Sequence, residues 1–133
     1  MLDTNVISET RRVRPHGALL SWLKSVDAED LAVPAVAVAE LQFGAELTRL
    51  QDQAKAAELD SWIDQIVSTH QVIAMDAACF REFARLIQGH SDTLREDAMI
   101  AATARIHGMT IATRNERDFQ SFAVPVFNPF RGN

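Results

Sequence analysis

Residues 95–119 read REDAMIAATARIHGMTIATRNERDF, and two kinds of structure are written into them. From Leu94 to His107 apolar residues recur with helical spacing, and Gly108 supplies the left-handed residue that commonly ends a helix. The run Met109–Thr113, MTIAT, then reads as a short strand with β-branched character. A short turn is expected after Asn115. The small side chains of Ala98, Ala101, Ala102 and Ala104 allow the helix to lie tightly on a sheet. An acid, Asp97, opens that helix, and another, Asp118, follows the strand.

Working outward, the same alternation continues. Leu31–Val33, Gln71–Met75 and Ala123–Phe127 read as further strands, and Asp3 closes a first one. Helical periodicity covers Val6–Arg12, His16–Ser25, Val36–Leu50, Gln53–Thr69 and Ala77–Gln88. Brief strands alternating with helices indicate an α/β protein with a mostly parallel sheet. Pro34 suits a helix start, where its missing N–H costs nothing, and Asp76 suits an N-cap. The chain shows no repeat, linker or low-complexity stretch, so residues 1–133 are expected to form one domain.

The composition narrows the function classes. With 47% apolar and 23% charged residues the chain suits a soluble domain with a sizeable core. No apolar run is long enough to span a membrane, and Met1 is followed almost directly by an acid, so neither a membrane span nor a secretory leader is expected. A single cysteine, Cys79, excludes an internal disulfide and fits a reducing cytoplasm; its apolar helical surroundings mark it as a buried small hydrophobe. The histidines (His16, His70, His90, His107) have no metal-ligand spacing, so zinc is not expected. Trp22 and Trp62 fall on apolar helix faces and suit packing or an interface. The net charge of −5 argues mildly against nucleic-acid binding, although Arg11, Arg12 and Arg14 form a local basic run.

Four of the acids are not ordinary surface. Asp3 stands at the carboxyl end of the first strand, where open parallel sheets bind ligands; helix capping is the structural alternative. Glu40 interrupts the apolar run AVAVAELQFGAEL, with Gly44 one turn later on the same face. Glycine inside a helix costs about 1 kcal/mol relative to alanine, which suggests a close approach beside Glu40. Glu96 is accounted for by a capping box with Thr93, whereas Asp97, one residue deeper, is not. Asp118 follows MTIAT, with Asn115 as a possible cap three residues earlier. Asp3 and Asp118 follow strands, and Glu40 and Asp97 open helices beside other strand ends, so all four are expected to converge at one edge. Their mutual repulsion calls for a counter-charge, and carboxylate oxygens suit Mg²⁺ or Mn²⁺. Such a centre activates water and stabilises a phosphoryl oxyanion.

The set LDTNV, AVAVAELQFG, REDAMIAATARIHGMTIATRNERDF and VFNPF resembles the PIN-domain ribonucleases, most closely the VapC and FitB-like toxins of bacterial type II toxin–antitoxin pairs. The resemblance covers nearly the whole chain. It implies a PIN-like domain with a central, mostly parallel five-stranded sheet flanked by helices. It also implies a ribonuclease in which Asp3, Glu40, Asp97 and Asp118 hold Mg²⁺ or Mn²⁺, supported by Asn5, Thr113 and Asn115. The implied partners are RNA, a second copy of the chain and a VapB-like antitoxin that blocks the site and carries the operator-DNA contacts. Arg11, Arg12, Arg14, Arg114 and Arg117 are the arginines expected to meet RNA backbone. The family usually places several apolar residues before its first acid; here only Met1 and Leu2 stand there, so a short first strand is expected. A haloacid-dehalogenase-like phosphatase would need an aspartate at Asn5, and a response-regulator receiver a late lysine, where the chain has only Lys24 and Lys55. The remaining alternative is a PIN-like module that binds RNA or a partner without cutting.

Overall fold

Met1, Ala32, Ile73 and Ile111 pack into one hydrophobic cluster, while Leu2, Val33 and Ala112, each next to one of these, pack into another. This is the two-residue alternation of extended chain, which sends successive side chains to opposite faces of a sheet. The chain described here is a computed structural model covering residues 1–131. Both faces of its sheet are buried, as parallel sheets require.

The sheet is short. Strands β1 (Ala32–Pro34) and β2 (Gln71–Ile73) pair in parallel, as do β3 (Ile111–Ala112) and β4 (Val126–Phe127). The N-terminal residues join the two pairs: Leu2 bridges Ala112 in parallel, and its N–H donates to the Ala32 carbonyl at 2.8 Å. Five segments are therefore neighbours in the order 71–73, 32–34, 1–3, 111–112 and 126–127, with regular parallel ladders only in the two outer pairs. Regular pairing is narrower than the sequence suggests, because several predicted strand residues lie outside the ladders. At the centre there is a covalent reason: Pro34 has no N–H to return a bond to Leu2.

Helices α1 (Thr4–Glu9), α2 (Gly17–Ser25), α3 (Ala35–Arg49) and α4 (Gln53–Thr69) serve the face carrying Leu2, with Val6, Ile7, Leu19 and Ala37 in its core. Helices α5 (Ala77–Leu86), α6 (Arg95–His107) and α7 (Glu116–Gln120) cover the other, where Ala98, Ala101, Ala104 and Phe119 are fully buried. The alanine-rich face of α6 lies against the core as expected. Asp76 caps α5 by accepting the Cys79 N–H at 3.0 Å, Cys79 is buried, and Gly108 ends α6 at φ 63°. Pro34 is the N-cap of α3, which begins at Ala35, one position before the expected Val36.

Candidate active site

Asp3 is the N-cap of α1 and is only 3% exposed. Its Oδ1 accepts the Thr4 N–H at 2.8 Å, while Oδ2 accepts the Thr113 hydroxyl at 2.8 Å and the Asn5 amide at 3.0 Å. Capping thus occupies one oxygen, and the other is held from the end of β3. Thr113 also accepts the Asn115 N–H at 2.9 Å, and the Asn5 side-chain oxygen accepts the Arg114 N–H at 3.3 Å. The three supporting residues expected from the sequence therefore form one network around Asp3. Burial raises the Asp3 pKa; the bonds from Thr113 and Thr4 oppose this, and the Asp118 charge adds to it.

Glu40 lies in the second turn of α3 rather than at its opening, and its Oε1 accepts the Thr4 hydroxyl at 2.8 Å. Thr4 is a residue the sequence reading missed as a site member. Nothing local to its place between Asp3 and Asn5 ties it to a residue 36 positions away. Burial raises the pKa of Glu40, the Thr4 bond lowers it, and the charges of Asp3 and Glu96 raise it further.

Asp97 stands in the first turn of α6 and Asp118 in that of α7. The Asp97 carboxyl is pushed up to about 7, first by burial and then by the charges of Asp3, Asp118, Glu40 and Glu96. The acids thus face one neighbourhood, and Glu96 adds a fifth negative charge to it. The expected capping box does not form. Ser91 starts a 3-10 turn at Asp92–Leu94 by accepting the Thr93 N–H, and α6 begins after Leu94 without a side-chain cap. Glu96 is exposed and acts on the site through its charge.

Among the described residues no lysine, arginine or histidine forms an ion pair with Asp3, Glu40, Asp97 or Asp118. Nor, among the described residues, are three acidic, histidine or cysteine side chains gathered at metal-holding spacing. The carboxylates are near enough to repel one another and not drawn together. Among the described residues nothing stands within 4 Å of where a Gly44 Cβ would be, so none of them makes the close approach expected beside Glu40.

Two clefts flank the acids. One, of about 430 Å³, has Thr4, Glu40, Arg11, Arg12 and Trp62 on its wall. The other, of about 490 Å³, has Asn115, Asp118, Arg114, Arg117 and Arg131. Arg114 is already engaged: its guanidinium lies 3.8 Å from the Phe130 ring centre and 3.7 Å from the buried carboxylate of Glu9. Glu9 also accepts the His16 N–H at 3.1 Å and pairs with Arg12 at 3.5 Å. Arg14 is exposed.

A family model described as PIN domain matches residues 1–125. The chain belongs to the PIN-domain family. Among curated proteins, this PIN domain is 34% identical to Toxin FitB of Neisseria gonorrhoeae, over 98% of this chain and 97% of that protein. It is 30% identical to the VapC ribonuclease Y4jK of Sinorhizobium fredii, over 98% and 96%. Among solved structures it matches the crystal structure of FitAcB from Neisseria gonorrhoeae with a TM-score of 0.85 at 34% identity, covering 98% of this chain and 97% of that one. The structure of FitAB bound to an IR36 DNA fragment matches equally well, with a TM-score of 0.85 at 34% identity over 99% and 96%. The recognition of a VapC/FitB-like PIN domain and of its α/β fold is thereby borne out.

Proposed function

We propose that this PIN domain is a Mg²⁺- or Mn²⁺-dependent endoribonuclease, acting in the cytoplasm as the toxin of a type II toxin–antitoxin pair. The observation that carries the proposal is the state of Asp97. Its carboxyl is pushed to about 7 by burial and by four neighbouring negative charges, with no basic side chain paired to the acids among the described residues. Oxygen donors short of positive charge suit a hard dication in kind, and Asp3, Glu40, Asp97 and Asp118 would hold it by closing in from their open spacing. The kinship with a VapC ribonuclease supports RNA as the substrate.

When bound, such a cation supplies Lewis-acid chemistry, making water more acidic and drawing charge from a phosphoryl oxygen. The side chains supply the rest. Asp3 is held in one orientation by Thr4, Asn5 and Thr113, so it loses little freedom on engaging a ligand. Thr4 fixes Glu40 in the same way. Asp97, pushed up by burial and neighbouring charge in the metal-free chain, would be ionised beside a bound dication and would serve as one of its oxygen donors. In hydrolysis the attacking water's oxygen bonds to phosphorus, one P–O ester bond breaks, and the departing oxygen takes up a proton.

The proposed partners are a VapB-like antitoxin that covers the acids and contacts operator DNA on the toxin's behalf, and a second copy of this chain. A solved relative, FitAB on DNA, supports the antitoxin and DNA part of this reading. Structured RNA incubated with and without Mn²⁺ tests the activity: metal-dependent cutting, lost in Asp3→Asn, is expected. Expression without the neighbouring gene should arrest growth, and Asp97→Asn should relieve the arrest; equal harm from both proteins would refute the mechanism. The open spacing of the acids favours a second reading, a module that holds RNA or a partner without cutting. RNA binding that persists in Asp3→Asn, with no cutting by either protein, would establish it.

A further inference from the structure

The cleft on the Glu40 side of the acids has features the hydrolytic reading does not use. It lies between α1, α3 and α4, and its volume of about 430 Å³ is within the usual range for small-molecule pockets. Thr4 and Glu40 form part of its wall, so it reaches one of the four acids and the residue that fixes it. Trp62 lines it from α4 and is half-buried, with the Arg11 guanidinium 5.7 Å from the ring centre. Arg11 has no carboxylate partner among the described residues, and Arg12, at the same wall, is largely exposed despite its contact with Glu9. Gly44 leaves the α3 side bare.

A flat apolar ring, the Arg11 guanidinium without a carboxylate partner among the described residues, and a wall that reaches Glu40 match the parts of a nucleotide in single-stranded RNA. A base presents a π-face to an aromatic ring, and the phosphate beside it needs a cation. In a chain of net charge −5, these arginines put positive charge on the Glu40 side of the site. An apolar protein side chain would use the indole but leave the guanidinium charge unanswered. We propose that this cleft is a nucleobase subsite: an RNA base next to the scissile phosphate stacks on Trp62, and its phosphate lies at Arg11 and Arg12. The proposal rests on the ribonuclease reading and names Trp62 as a residue that positions substrate. Stacking tolerates every base, so Trp62 contributes affinity with little sequence preference.

Trp22 and Trp62 are the two tryptophans of the chain, so Trp22→Phe leaves Trp62 as the single indole reporter. Short single-stranded RNA titrated into that variant in EDTA should quench its fluorescence saturably, and added salt should weaken the effect. Trp62→Leu keeps apolar volume in the packing but removes the aromatic face. It should raise KM for Mn²⁺-dependent RNA cleavage between about five-fold and about a hundred-fold, with kcat within about two-fold. Trp62→Phe should restore most of the loss, which a merely destabilised protein would not show. RNA that binds by anisotropy while the Trp62 emission stays unchanged would overturn the proposal. So would an unchanged KM in Trp62→Leu. If that variant keeps its RNA affinity but loses affinity for the protein encoded beside it, the cleft belongs to a protein partner and the proposal falls. The metal-free titration does not depend on cleavage, so failure of the subsite and failure of the ribonuclease reading give separate results.

Discussion

Asp97→Asn should make the metal-free protein more stable, although it removes a residue proposed as essential. In the native chain the Asp97 carboxyl sits at about 7 instead of its ordinary 3.8. At 1.36 kcal/mol per pH unit this is a ceiling of about 4 kcal/mol against the ionised native state. Asp97 is half-buried, and solvent screening reduces the figure to on the order of 1–2 kcal/mol. Between roughly pH 4 and pH 7 the native state binds more protons here than the unfolded one, so stability falls as pH rises through this window. The raised values of Asp3 and Glu40 push in the same direction. Thermal unfolding in EDTA at pH 8 should therefore place the Tm of Asp97→Asn above the parent by several degrees. The gap should close as pH is lowered toward 4, where the parent carboxyl is already neutral. Mn²⁺ should reverse the order by stabilising the parent more than the variant. An Asn variant no more stable than the parent at pH 8 without metal would refute the repulsion on which the site's chemistry rests.

Two further outcomes follow from the same geometry. Thr113→Val removes the hydroxyl that donates to Asp3 and accepts from the Asn115 N–H; it should cost about 1.5–3 kcal/mol in urea unfolding and weaken Mn²⁺ binding by isothermal titration. Gly44→Ala adds a methyl that meets nothing among the described residues and favours the helix, so the midpoint of denaturation should rise by an amount corresponding to about 0.5–1 kcal/mol. If the cleft receives RNA, the same change should raise KM for cleavage, and a stabilised protein with unchanged KM would show that the bare helix face has no role in substrate binding.

Local patterns in the chain were legible where local physics governs. The span of α4 was read correctly to both ends, since its periodicity is uninterrupted and Asp52 caps its start. The N-cap Asp76 and the left-handed Gly108 depend on neighbours within a few residues and could be read in the same way. The capping box at Thr93 failed because Ser91 offered a competing local bond that sequence rules alone do not rank. The strands at 71–75, 109–113 and 123–127 are shorter than read, because a ladder lasts only as far as its partner's donors, whereas the short central segment was expected and Pro34 withholds a donor from it.

The candidate site divides along the same line. Residue types and chain order alone marked Asp3, Glu40, Asp97 and Asp118 as unusual, and the PIN-domain kinship agrees with the family read from them. That Thr4 reaches Glu40, that Glu96 joins the charge and that Arg114 is engaged by Glu9 and Phe130 all required folded coordinates. Helix caps and hydrophobic periods are short-range and are written in consecutive residues. Electrostatic coupling and hydrogen bonds between residues far apart in sequence exist only once the sheet brings them together, so tertiary structure alone decided them.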